Sequence, residues 1–150
     1  MKKKLITLLL LIIVSIPIII FLTKPTKLTL SPEYHNKGNL KEITKDELLT
    51  KLNSNETFIL FTYNNFCTFK ISCDEIFNES AKNLNITILK IPFTDFKEIT
   101  LYTNVKYAPS VMIINKGEII SYLDPEKDKD LPKYQDSNEF TKWLQEYLNI

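Results

Sequence analysis

An uncharged run from Leu5 to Leu22, dominated by Leu and Ile, follows Lys2, Lys3 and Lys4 and is closed by Lys24. Its 18 residues reach the short end of what spans a bilayer. The cationic flank predicts a cytoplasmic N-terminus, with the rest of the chain facing outward. Phe21, Leu22, Thr23, Lys24 and Pro25 lack a small-x-small cleavage pattern, and no Cys follows to carry a lipid. A single-pass signal-anchor over residues 1–24, touching the membrane through residues 5–22, is the leading expectation, and a cleaved signal peptide the alternative. A helix apolar on all sides suits lipid better than the core of a small domain. Residues 25–39, with Pro25, Pro32, Asn36, Lys37 and Gly38, read as a tether in which His35 is solvated. Residues 40–150 carry the periods of one folded domain.

Within that domain the pattern alternates between strand and helix. Leu40–Ile43 reads as a short edge strand. Thr44-x-x-Glu47 forms a capping box ahead of Leu48, Leu49 and Leu52. Thr57–Tyr63 is a continuous apolar, aromatic and β-branched run, the mark of a strand buried on both faces. From Phe69 to Leu84, Phe69, Cys73, Ile76, Phe77, Ala81 and Leu84 recur at helical spacing. Ile86–Ile91 is the next strand, Thr94–Tyr102 a short helix, and Val111–Ile114 a buried strand that Lys116-Gly117 turns into a hairpin with Glu118–Leu123. Asp124–Ser137 reads as a solvated loop. Asp136-x-x-Glu139 then opens a helix whose Phe140, Trp143, Leu144, Tyr147 and Leu148 form a core stripe. The order implies an α/β fold with a mixed central sheet and helices on both faces, the first strands joined by crossovers and the last two by a hairpin.

Composition narrows the function classes. Residues 1–24 hold four of the 19 lysines and no acidic residue, so the remainder carries 15 lysines against 18 Asp and Glu, a formal charge of −3. That balance disfavours nucleic acid as a partner. Every basic residue but His35 is Lys, which removes the guanidinium forks usual in phosphate and carboxylate recognition. Gly38 and Gly117 are the only glycines, too few for a Walker-type or dinucleotide-binding loop. Two cysteines and one histidine cannot by themselves build a four-ligand zinc site. No metal and no other cofactor is expected.

The two cysteines are the remaining candidates for chemistry. Cys67 stands between the end of a buried strand and the start of a helix, where α/β sheets place their sites. There the helix N-terminus stabilises a thiolate, as disulfide exchange requires. Cys73 has two readings, a buried core thiol on the stripe with Phe69, Ile76 and Phe77, or a displaced resolving thiol in a Cys-x5-Cys loop. Along a regular helix six residues rise about 9 Å and turn about 600°. A disulfide needs Cα atoms within about 7 Å, so Cys67 and Cys73 pair only if the segment between them is not regular helix. An outward-facing domain meets oxidising conditions, which favour paired thiols.

Residues 57–148 resemble a thioredoxin-fold domain, at several separated places. Phe58–Cys67 is similar to the family's strand leading into the active site, with Phe66 where a Trp is usual and Cys67 on the nucleophile. Tyr107-Ala108-Pro109-Ser110-Val111-Met112-Ile113-Ile114-Asn115-Lys116-Gly117-Glu118 resembles the cis-proline loop, the following strand and its turn. The resemblance implies a three-layer sandwich, a cis Pro109 packed against the Cys67 loop, and an Ala108 backbone that pairs with an extended substrate. Phe66, Ala108 and Pro109 would then contact substrate. Two positions depart from the pattern. Lys70 occupies the place of the second cysteine, either steadying a Cys67 thiolate or pointing into water, and Phe61 occupies that of the family's buried acid. The spacing favours this register, since Cys73 in the second cysteine's place would leave only about three helical turns before Ile86. The implied function is a membrane-anchored, extracytoplasmic thiol–disulfide exchange protein acting through Cys67 on a protein or small-molecule thiol or disulfide. The alternative is a redox-inactive binding or accessory domain serving secretion or envelope assembly.

Overall fold

In the computed structural model of this chain, residues 26–64 and 72–150 are described. Strand β1 (Asn39–Glu42) is followed by helix α1 (Lys45–Leu52), β2 (Thr57–Tyr63), α2 (Cys73–Leu84), β3 (Thr87–Pro92) and the one-turn α3 (Phe93–Phe96). Then come β4 (Ser110–Asn115), β5 (Glu118–Leu123) and α4 (Ser137–Tyr147). The strands form one sheet in the order β1-β3-β2-β4-β5. β3 runs parallel to both β1 and β2, whereas β4 runs antiparallel to β2 and β5. This is the mixed sheet the sequence implies, with crossovers first and a hairpin last.

Burial follows the strand patterns. Phe58 to Phe61 and Val111 to Ile114 are each at most 1% exposed, because β2 and β4 are inner strands covered on both faces. Alternation along β2 turns Phe61 toward α2, where its ring meets Phe77 edge-on at 4.8 Å. Phe77 packs in turn against Phe140 of α4, the ring centroids 4.5 Å apart and the planes tilted by 45°. On the opposite face Phe58 contacts Tyr34 at 6.0 Å. Tyr34 hydrogen-bonds Glu56 and accepts from Lys51 at the end of α1. Both capping signals are realised: Thr44 and Glu47 exchange side-chain and backbone bonds, and Asp136 accepts from Asn138 and Glu139.

Four differences from the sequence reading have physical causes. The tether does not stay solvated beyond Lys27. Leu28 donates its backbone N–H to the Tyr147 carbonyl at 2.7 Å, Leu30 and Tyr34 enter the core, and His35 bridges Ile86 with its ring half-buried near the Leu30 carbonyl. The apolar side chains of Leu28, Leu30 and Tyr34, spaced among prolines and polar residues, show no local period and need the rest of the domain to bury them. The second difference is at α2, which begins at Cys73 rather than Phe69, since its N-cap Ser72 is extended at φ −62° and ψ 134°. A continuous helix from 69 to 84 is therefore absent, and with it the geometric objection to a bond between Cys67 and Cys73. The 12-residue α2 is itself only three turns long, so the spacing argument for placing Lys70 rather than Cys73 at the second-cysteine position loses its force.

Third, Thr94–Tyr102 is not one helix. It divides into α3 and a 3-10 turn over Thr100–Thr103, with Ile99 extended between them. Fourth, the 124–137 loop is not wholly solvated. A 3-10 turn at Leu131–Tyr134 drives Tyr134 to full burial, where its hydroxyl donates to the Leu123 carbonyl at 2.8 Å and its ring contacts Phe77 at 5.8 Å. No helix among the described residues is long and apolar enough to cross a membrane, and residues 5–22 lie outside them.

Candidate functional site

The antiparallel register brings the candidate residues to one end of the sheet. Thr62, next to the last residue of β2, pairs with Ser110 at the start of β4, and Val111 pairs with Leu123 at the end of β5. Tyr63 pairs with Pro92 at the end of β3. This pole collects the carboxyl ends of β2, β3 and β5, the loop before β4, and the first turn of α2. Open α/β sheets bind and react at such an end.

The Ala108–Pro109 peptide bond is cis, as the resemblance implies. Asn64, the residue after β2, donates its side-chain amide to the Ala108 carbonyl at 3.2 Å, so the chain leaving β2 is tied to the proline loop. A carbonyl oxygen has two lone pairs, and this bond uses one. Ser110 donates its hydroxyl to the Tyr107 carbonyl at 2.7 Å, closing the loop from the other side. Phe66, Cys67 and Lys70 lie outside the described residues, between Asn64 and Ser72. Cys73 is described: it is the first helical residue of α2 and only 2% exposed.

Electrostatics at this pole are set by two groups. Lys90 on β3 donates to Asp74 at 2.8 Å, lies 3.9 Å from Glu42, and sits 4.6 Å from the Tyr63 ring centroid. The network staples the first turn of α2 to the ends of β1, β2 and β3. The Tyr63 hydroxyl donates to Glu42 at 2.9 Å. Burial first, and then that bond and the charge of Glu42, push its pKa up to about 12. The second group is Tyr134, whose phenol burial holds well above the ordinary tyrosine range. At the position of the family's buried acid, Phe61 is 1% exposed and packed on Phe77, so that position offers no carboxylate to accept a proton. No cluster of three or more His, Cys, Asp or Glu that could hold a metal occurs among the described residues.

A feature absent from the sequence reading adjoins the proline loop. A shallow cleft of about 190 Å3 opens there, lined by Lys106, Tyr107 and Ser110 on one wall and by Tyr122 and Asp124 on the other. Its walls come from positions more than ten residues apart, joined only by the register of β4 and β5. The nearest sequence signal was the aromatic Tyr107 just before Ala108-Pro109.

Comparison with solved structures identifies the fold. The chain superposes on a mutant thioredoxin from Halobacterium salinarum with a TM-score of 0.55 at 12% identity, covering 77% of this chain and 96% of that one. A thioredoxin from Nicotiana alata matches with a TM-score of 0.53 at 14% identity, covering 79% and 98%. The oxidised thioredoxin of Plasmodium falciparum matches at 0.50 and 16% identity, covering 69% and 99%. The sequence matches no protein-family model and no curated protein. At these identities the likeness establishes the fold: residues 26–64 and 72–150 form a thioredoxin-like α/β domain.

Proposed function

We propose that this thioredoxin-like domain performs thiol–disulfide exchange, with Cys67 as the attacking thiol and Cys73 as the resolving one. The observation that carries the reading is the cis Ala108–Pro109 loop, tied through Asn64 to the end of β2 beside the helix turn that bears Cys73. In the reductive direction the Cys67 thiolate attacks one sulfur of a substrate disulfide. A mixed disulfide forms and the other substrate sulfur leaves as a thiolate. Cys73 then gives up its proton and attacks the Cys67 sulfur, closing a Cys67–Cys73 bond and releasing the substrate as a dithiol. Two electrons pass to the substrate, and an external dithiol restores the protein. At 2% exposure the Cys73 sulfur is a poor attacker of a polypeptide, which is why the first step falls to Cys67. Where an external thiol resolves instead, the same mixed disulfide supports isomerisation or deglutathionylation. Lys70 supplies positive charge to the thiolate, and Phe66, Ala108 and Pro109 contact the partner.

Residues 5–22 anchor the domain outside the membrane in this proposal. Ser31 donates to the Thr57 carbonyl at 3.0 Å, which pins the N-terminal strap to the start of β2, the end remote from Ala108–Pro109. The five residues 23–27 reach at most about 18 Å, which keeps the strap end of the domain near the bilayer in this proposal. In intact cells treated with a membrane-impermeant reductant, a membrane-impermeant maleimide is expected to label Cys67; labelling only after lysis would overturn the outward orientation.

A second reading keeps the docking edge without the redox cycle, as an accessory domain in secretion or envelope assembly. Phe61 in place of a carboxylate favours it. The two are separated by alkylating the full chain in detergent across pH, alongside Cys67→Ser and Cys73→Ser. Exchange chemistry requires a Cys67 pKa below the ordinary value of about 8.5 and a mixed disulfide that persists in Cys73→Ser. An ordinary Cys67 and no turnover of a mixed-disulfide substrate would establish the accessory reading.

A further inference from the structure

Two residues that line the cleft beside the proline loop, Tyr122 and Asp124, already engage a cation. Lys127, from the loop after β5, places its ammonium 5.2 Å from the centroid of the Tyr122 ring and 3.4 Å from Asp124 Oδ2. Asp124 is held in place from two directions. Its Oδ1 accepts the Glu126 backbone N–H at 3.0 Å, and its own N–H donates to Asp130 at 3.2 Å. Its side chain is 14% exposed, whereas that of Lys127 is 49% exposed and anchored only at its tip. The carboxylate is thus held in place and the lysine is its looser partner. Across the cleft Tyr107 offers a second ring and is 52% exposed, the most open large hydrophobic side chain among the described residues. Residues 124–130 carry four acids against two lysines, an acidic excess on this wall that faces a single ammonium, Lys106, on the other.

We propose that the cleft is a subsite for an arginine side chain of the partner polypeptide, which competes with Lys127 for Tyr122 and Asp124 when the partner docks. The proposal rests on the reading that an extended chain pairs with Ala108. Tyr107 and Ser110 flank Ala108–Pro109 in sequence and also line the cleft. Side chains on one face of a strand recur about every 7 Å, so a residue close to the docked one meets the cleft. The occupant follows from chemistry. An incoming lysine would exchange one ammonium for another with no gain. A guanidinium lies flat on the Tyr122 ring while giving a carboxylate two parallel hydrogen bonds, which Lys127 cannot do. A glutamate or aspartate would meet Asp124 and the acidic loop and be repelled.

The test uses the full chain in detergent micelles and fluorescein-labelled extended peptides. Serine replaces the peptide cysteine, so that binding is read without covalent capture. One series walks an arginine along both sides of the serine; the others carry citrulline, its uncharged analogue, or lysine. One arginine position is expected to bind about fivefold tighter by anisotropy than its citrulline counterpart, with lysine close to citrulline. Asp124→Asn is expected to abolish that preference. Lys127→Ala, which frees Tyr122 and Asp124, should strengthen arginine binding severalfold, while Lys129→Ala makes the same charge change on the same loop and should not. Equal binding of arginine and citrulline peptides, or Lys127→Ala matching Lys129→Ala, would overturn the proposal. Exchange with hydroxyethyl disulfide is assayed separately on the unmodified chain. Arginine preference without exchange leaves the subsite standing and removes the exchange reading; exchange without arginine preference does the reverse.

Discussion

Tyr134 joins three parts of the molecule through one side chain, its ring against Phe77 and its hydroxyl on the Leu123 carbonyl. Tyr134→Phe keeps the ring and removes the hydrogen bond, so it is expected to cost about 1–2 kcal/mol, read as a lower urea midpoint with an unchanged slope. Nothing near it in sequence marked Tyr134 as core, since it lies in a charged stretch and its acceptor is 11 residues away. Tyr63 gives a prediction of the opposite kind, visible only in pH. Its folded pKa of about 12 stands above the ordinary value of 10.0, so the unfolded chain loses this proton first. The stabilising contribution is complete below about pH 10 and is lost as pH rises through about 12. Ultraviolet titration of tyrosinate, assigned with Tyr63→Phe, should show Glu42→Gln moving this group back toward 10; an unmoved titration would mean that burial alone sets it.

The elements that were legible are those whose instructions are local. The Thr44–Glu47 box and the Asp136 cap lie within three residues of their partners, and the β2 and β4 runs are apolar throughout because both of their faces are covered. The start of α2 was not legible. Phe69 fits the helical stripe, yet Ser72 is extended, and apolar spacing carries no stop signal for a helix that begins late. The hairpin turn shows both sides of this. Lys116-Gly117 announced a turn locally, and both residues take positive φ, at 53° and 81°. The sequence could not show that a Cβ on Gly117 would sit 2.5 Å from the Leu52 carbonyl oxygen. Gly117→Ala is therefore expected to destabilise by more than the ordinary backbone effect of about 1 kcal/mol, and thermal unfolding of the variant checks it. A loss within the ordinary effect would show that the end of α1 yields.

On the scale of the whole molecule, the N-terminal strap closes the domain by bringing Leu28 beside Leu148, so that the residues around 28 and the last helix stabilise each other. Leu30 is 2% exposed, and Leu30→Ala is expected to cost about 2–5 kcal/mol by urea unfolding. A chain beginning at residue 40 should unfold at a clearly lower denaturant concentration than one beginning at residue 26. Equal midpoints would return residues 26–39 to the status of a tether. By itself the sequence determined the α/β class, the order of strands and helices, the capped helix starts and the two cysteines worth testing, while the cis Pro109 came only from the resemblance of its loop. Each of these is written in periods, caps or motifs that span a few neighbouring residues. Only the tertiary structure decided that the tether packs, that Asn64 ties β2 to Ala108, that Tyr134 is core, and that Tyr107, Tyr122 and Asp124 share one cleft. Those facts depend on strand register and on long-range burial, where the free energy comes from residues that meet in space without being near in the chain.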